Sequence, residues 1–258
     1  HAGGSLVENR WTAAMYNALA AQEDLTTHLA ETAQDNVHGL GNRPMVSTAH
    51  KTYYIDEASG SDTNDGLTSA TAFKTWNKAR KQIPVLLLHG YAIRIIGNLN
   101  EIIDIPPVFC RARAAFTVIG DTETASNHKV AGIRIGACGG GVDGCSVNIR
   151  FLESTGLIEC QGSVYAFIYA CNPRNSGGVG IHARGSILSI TSCEFGTDVV
   201  RIAITADNAS QVLSRANSGN ATEWGLFSNS GSIICKTGTQ PTGATANEHK
   251  GFGGQIFA

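Results

Sequence analysis

The sequence predicts an all-β protein wound as a solenoid, a parallel β-helix. Three observations carry this. A motif recurs at 157–163, 180–186, 203–210 and 225–232: an apolar run, then a small residue and a serine. Its serines, Ser163, Ser186, Ser210 and Ser232, lie 23, 24 and 22 residues apart, a period that marks repeat architectures. Within each run apolar and polar residues alternate, the strand period of two. The composition agrees: 16% charged and 30 Gly among 258 residues, against about 25% charged in an average domain.

Net charge is −2, so nothing electrostatic favours nucleic acid or an anionic membrane. No apolar run approaches the ~20 residues of a membrane span, and no secretory apolar stretch opens the chain. Residues 1–5 are read as a tag remnant or a cut through a longer chain. Seven cysteines (110, 138, 145, 160, 171, 193 and 235) form no compact framework. They are expected to be reduced thiols, with Cys160 and Cys235 buried on strands. No zinc set completes Cys138 and Cys145, and neither metal nor cofactor is expected.

Residues 1–45 are assigned to a helical stalk segment and linker, and 46–258 to the solenoid domain. Over 6–35, Leu6, Trp11, Met15, Ala18, Leu25 and Leu29 form a narrow stripe close to a heptad seam. Such a helix needs partners, which favours self-association. His28 and His38 are read as structural. Gly39, Gly41 and Pro44 end the segment.

The solenoid domain opens with a cap over 52–84. Residues 52–56 form a strand, and 60–67 a polar turn in which Asp and Asn bond their own backbone. Asp62, Asn64 and Asp65 are oxygen donors, but they lack EF-hand spacing, and the self-bonded turn is favoured over calcium. A helix is predicted over 71–83 with Thr71 as N-cap and Phe73, Trp76 and Ile83 on its apolar side. It would cover the open end of the coil. Pro84 stops it.

The stretch Tyr54, Ile55, Asp56, then residues 60–66, then Ala72, Phe73, Lys74, Thr75, Trp76, and Lys78, Ala79 resembles the N-terminal cap of right-handed parallel β-helices of the pectate-lyase-like class. Bacteriophage tail spikes and tail fibres often carry this cap. His28 with Val37, His38 and Gly39 is similar to a segment of phage tail-fibre stalks, where Pro usually replaces Val37. The Gly-rich 238–258 is similar to closing segments of such fibres. The resemblance implies a homotrimeric virion appendage, assembled in the host cytoplasm. It would join other tail proteins through its N-terminus and bind a glycan on the host surface.

Strands are predicted over 85–88, 91–96, 101–105, 115–119, 130–135 and 145–152, before the regular repeats. Residues 255–258 are expected to pair with a neighbour or a last rung. Aligning the repeats on Ile158, Ile181, Ile204 and Leu226 as core sends the next residue outward. That gives one exposed column of Glu159, His182, Thr205 and Phe227, and a second of Gln161, Arg184, Asp207 and Asn229. Cys160, Ala183, Ala206 and Ser228 point inward. The last two runs are one residue longer, which suggests a bulge near Asp207 and Asn229.

These columns suit carbohydrate: charged groups and amides bond hydroxyls, and an aromatic covers an apolar sugar face. An insert over 169–178 offers Tyr169 with Arg174 as a second site, and Trp224 is a third. If the chain cleaved its glycan, Glu159 and Asp207 would be the candidate acids. At two rungs and ~10 Å apart they exceed the ~5–5.5 Å of retaining and reach the ~6.5–9.5 Å limit of inverting glycosidases. The favoured reading is a non-cleaving receptor binder. A polysaccharide depolymerase and a purely structural fibre segment are the alternatives.

Overall fold

The computed structural model describes residues 43–111, 114–136, 139–140, 146–162, 165–196 and 200–258. The predicted helix over 6–35 lies outside them, with His28, Val37, His38, Cys138, Cys145 and Ser163. Met45–Ala258 forms one unit.

That unit is a parallel β-solenoid, compatible with a pectate-lyase-like β-helix. Sheet 1 stacks nine strands in the order Lys51–Asp56, Tyr91–Ile96, Ala115–Gly120, Ser146–Arg150, Tyr165–Tyr169, Ile187–Thr191, Gln211–Arg215, Ile233–Thr237 and Gln255–Phe257. Sheet 2 stacks Leu99–Ile105, Lys129–Ile135, Ile158–Gln161, Val179–Arg184, Ile202–Asp207, Trp224–Ser228 and Ala246–Lys250. Short strands line a third side: Glu153–Ser154 pairs with Asn172–Pro173, and Glu194–Phe195, Ser218–Ala221 and Thr242–Gly243 stack in turn. From Ile158 to Gly243 the chain passes in each repeat from sheet 2 to sheet 1 to the third side, whereas in the earlier rungs the short strands Leu86–Leu87, Phe109–Cys110 and Gly139–Gly140 stack on one another, the last two lying between sheet 2 and sheet 1.

The core follows from alternation. Ile103, Ile133, Ile158, Ile181, Ile204 and Leu226 are successive partners on sheet 2, and all are fully buried. Val118, Ile149, Ile168 and Ile190 make the facing column on sheet 1. Each such side chain contributes about 1.5–3 kcal/mol by leaving water.

Corners explain the serines. A residue with positive φ follows the sheet 2 strands at Gly162, Gly185, Asn208 with Ala209, and Ser230 with Gly231. The buried Ser186, Ser210 and Ser232 come next. Ser186 N donates to Ser210 Oγ (3.2 Å), and Ser210 N to Ser232 Oγ (3.0 Å). The serines thus pair corner N–H groups that have no place in either ladder. The extra residue of the last two repeats sits in this corner, where two residues rather than one take positive φ. The predicted bulge is absent there: Ile204 to Ala206 pair in unbroken register with Leu226 to Ser228, and Arg184 pairs with Asp207.

The N-terminal end is capped, with a shorter helix than predicted. Ser69–Thr71 is a 3-10 turn capped by Thr68, and the α-helix is Trp76–Arg80 with Thr75 as N-cap. Phe73 interrupts because it is extended: its N–H donates to Tyr54 O and its carbonyl accepts from Asp56 N. Phe73, Tyr53, Tyr91 and Phe116 form a ring stack beneath, with successive centroids 5.5, 5.7 and 6.5 Å apart. Trp76 Nε1 donates to Asp104 O (3.2 Å). Asp62 accepts from Lys74 N, Thr75 N and Thr75 Oγ1, and Asp65 from Leu67 N and Thr71 Oγ1. Burial works to raise the Asp62 pKa, but the Thr75 and Lys74 bonds outweigh it and hold the carboxyl low.

The other end is not a loose tail. Residues 238–258 add Thr242–Gly243 to the third side, Ala246–Lys250 to sheet 2 and Gln255–Phe257 to sheet 1. In this last rung charges take core positions. Glu248 continues the column of Leu226, and Lys250 that of Ser228. On sheet 1, Ile190 is followed by Ser214 and then Lys236. Inward charges on a terminal strand blunt edge-to-edge pairing.

The cysteines depart from expectation in two places. Cys110 is disulfide-bonded, so the thiols are not all reduced. Cys235 is exposed, because Ile234 and not Cys235 takes the inward position. Cys160, Cys171 and Cys193 are buried free thiols.

Candidate functional site

The two predicted columns assemble as one strip on the outer face of sheet 2, except that Thr205, predicted to be exposed, is buried between its neighbours. Glu159 pairs with His182, His182 with Thr205, and Thr205 with Phe227. Beside them Gln161 pairs with Arg184 and Arg184 with Asp207. Asn229 follows, its Nδ2 donating to Asp207 Oδ1 (3.4 Å). Rungs are ~4.8 Å apart. The first column continues to Arg134 and Asp104 at one end and His249 at the other.

Polar side chains on the strip are partly committed to one another. Arg184 Nη1 bonds Glu159 Oε1 at 3.1 Å, and Asp207 Oδ1 accepts its neighbour's N–H at 2.9 Å. Burial first, then the Arg184 charge, push the His182 pKa down, against a smaller pull upward from Glu159 and Asp207. The imidazole is therefore neutral at neutral pH.

The strip also holds free hydrogen-bonding capacity. Among the described residues, five buried side-chain polar atoms have no partner: His128 Nδ1, His182 Nε2, Arg184 Nε, Thr205 Oγ1 and Asn229 Oδ1. Four belong to the strip. An unpaired buried polar group costs about 1–3 kcal/mol, so this concentration marks a place where packing is not optimised for stability alone. No protein-family model matches the chain, and no curated protein matches it. What the strip does must therefore be argued from its chemistry.

The aromatic end is more enclosed than the sequence suggests. Trp224 lies parallel to His249, with ring centroids 4.2 Å apart and planes within 7°. Phe227 packs against both, at 4.9 and 5.3 Å. One face of Trp224 is thus already covered by a protein ring. His249 belongs to this cluster but was not among the predicted residues. Its column position was readable only once 246–250 is known to be a strand.

The structure gives Tyr169 and Arg174, the predicted second site, different partners. Residues 169–178 are no insert, because Asn172–Pro173 is a regular strand of the third side. Arg174 lies between Glu153 (3.7 Å) and Glu194 (3.5 Å). Tyr169 ends a sheet 1 strand and packs edge-on against Phe151. Glu153 also meets Lys129 at 3.4 Å, so charges alternate along this side.

Sheet 1 carries a contrasting surface. Tyr165, Phe167, Ile187, Leu213, Ile233 and Cys235 line an apolar groove of about 660 Å³. Tyr165, Ile187 and Phe257 are each more than two-fifths exposed there. No helix among the described residues is long and apolar enough to cross a membrane. No cluster of His, Cys, Asp and Glu among them could hold a metal ion.

Proposed function

We propose that this chain binds a host cell-surface glycan along the sheet 2 strip, without cleaving it, as part of a bacteriophage tail fibre or spike. The observation that carries the binding reading is the strip itself, where Glu159, His182, Arg184 and Asp207 stand in register on one face with Phe227. A glycan offers hydroxyls that both donate and accept, at spacings comparable to the rungs, and Phe227 supplies an apolar surface beside them.

The virion assignment has narrower support: the cap residues Tyr54 to Ala79 and the segment after 238 resemble those of phage fibres. A homotrimer would give the exposed apolar face of sheet 1 a partner. In that assembly the N-terminal segment joins the fibre to other tail proteins.

Binding without cleavage is favoured by the state of the two candidate acids. Glu159 is tied to Arg184, and Asp207 to Asn208 N and Asn229. Neither is free to act as an unencumbered general acid or base. The test is incubation of the purified chain with polysaccharides from bacterial surfaces. Retention on the polysaccharide with no new reducing ends is the expected result. Steady release of reducing ends, lost in Glu159→Gln or Asp207→Asn, replaces the binder with a depolymerase. Retention on none of them leaves a structural fibre segment.

A further inference from the structure

We propose that the outer face of sheet 1 docks on an anionic lipid surface. The inference goes beyond the glycan reading and does not depend on the sheet 2 strip.

The net charge of −2 conceals an uneven distribution. From Tyr91–Ile96 to Gln255–Phe257 the strands of sheet 1 hold no Asp and no Glu. Asp56 in the first strand is a carboxylate, and it accepts from Ala58 N and Ser59 N. Arginines recur in one outward column of this sheet. Arg94 pairs with Ile119 and Ile119 with Arg150, and Tyr169, Thr191 and Arg215 follow rung by rung. Arg94 and Arg150 are thus about 10 Å apart along the face, and Arg150 and Arg215 about 14 Å. Arg150 and Arg215 are exposed, and Arg94 is half-buried. Among the described residues none of the three has an ion pair. Sheet 2 differs. Arg134 there is also exposed and without an ion pair, but Asp104 and Glu159 stand on the rungs to either side of it.

Apolar groups lie beside the arginine column. Arg215 lines the groove of about 660 Å³ together with Tyr165, Ile187 and Ile233. Tyr165, Ile187, Tyr169 and Phe257 are the exposed large side chains of this face. Guanidinium groups on aliphatic stems beside exposed Tyr and Ile suit a bilayer surface. The cations meet the headgroups, the phenol rings sit at the polar boundary, and the aliphatic groups reach the acyl region. Each Arg near such a surface strengthens binding about fivefold.

The apolar groups alone would equally suit a second copy. Two copies meeting through this face would set guanidinium against guanidinium with no carboxylate between them. A homotrimer then associates through other surfaces.

The test is flotation of the intact chain with vesicles of phosphatidylcholine alone, and with vesicles in which about a quarter of the lipid is phosphatidylglycerol. Binding to the anionic vesicles is expected to be about tenfold or more the stronger, with the difference lost in high salt. Arg150→Gln combined with Arg215→Gln should remove most of that preference. Ile187→Ser should weaken binding about threefold or more by withdrawing an inserted side chain. Melting temperature reports whether each variant folds, and the preference of the native chain decides the matter should one fail. Equal binding to the two vesicles, or binding to neither, overturns the inference. Loss of the preference in Arg134→Gln but not in the sheet 1 double variant overturns it by moving the lipid to sheet 2. Undiminished affinity in Ile187→Ser overturns it by showing contact through charge alone. A native oligomer that falls apart in Ile187→Ser overturns it by giving the face to a second copy.

Discussion

Lys236 Nζ lies 2.7 Å from Glu248 Oε1, and the two side chains come from core columns on facing sheets. Lys236 stands where Ile168, Ile190 and Ser214 stand in earlier rungs, and Glu248 where Ile204 and Leu226 stand. The ion pair therefore spans the mouth of the core at the end away from the Trp76–Arg80 helix. Partly exposed as it is, it contributes at most about 1 kcal/mol. Its larger effect is to keep water-compatible groups over an edge that would otherwise recruit another chain.

Replacing both charges tests that role. Lys236→Ile with Glu248→Leu extends the apolar columns to the last rung. The double variant should melt close to the parent, within the ~1 kcal/mol of a surface pair. In sedimentation it should show larger, concentration-dependent species that the parent lacks. An unchanged mass distribution would mean that the ion pair is not a barrier to end-on association.

The serine ladder makes a sharper prediction about stability. Ser210→Ala removes the acceptor for Ser186 N and the hydroxyl that donates to Asp207 O. Ser210 is 1% exposed, so solvent does not replace the lost partner. Unfolding free energy in denaturant should fall by about 1–3 kcal/mol. A loss below a few tenths would show that the recurring serine is a by-product of small corners and not a structural bond.

His182 should leave a signature in acid. Its folded pKa lies below the ordinary histidine value of about 6.5, so the unfolded chain takes up the proton first as pH falls. The neutral imidazole's contribution is present above about pH 6.5 and is lost on acidification through and below it. His182→Gln cannot titrate, and should flatten the decline in melting temperature between pH 7.5 and 5.5 relative to the parent. Parallel curves for the two proteins would place the acid sensitivity elsewhere.

The sequence carried much of this architecture, but unevenly. Ile158, Ile181, Ile204 and Leu226 could be aligned because a period of two and a period near 23 coincide there, and the outward columns followed. Two-residue strands such as Asn172–Pro173 and Glu194–Phe195 have no room to show a period, so the third side read as an insert. The strand over 246–250 was not legible because Glu248 and Lys250 occupy positions where alternation expects apolar residues. Thr71 and Thr75 are equally good caps, and only the pairing of Phe73 with Ile55 decides between them. Within the site, partner columns were legible, whereas the Arg184–Glu159 pair and the His249 ring over Trp224 depend on rotamers that no spacing specifies.

The central claim is that the sheet 2 strip, and not another face, holds a glycan. Calorimetric titration with the best oligosaccharide from the surface-polysaccharide screen tests it most directly, comparing the native chain, the double variant His182→Ala with Arg184→Ala, and Thr191→Ala on sheet 1. Removing two polar partners should weaken binding about tenfold or more, while Thr191→Ala leaves it unchanged and both variants stay folded. Equal affinity in the strip variant, with binding lost in Thr191→Ala, would contradict the account.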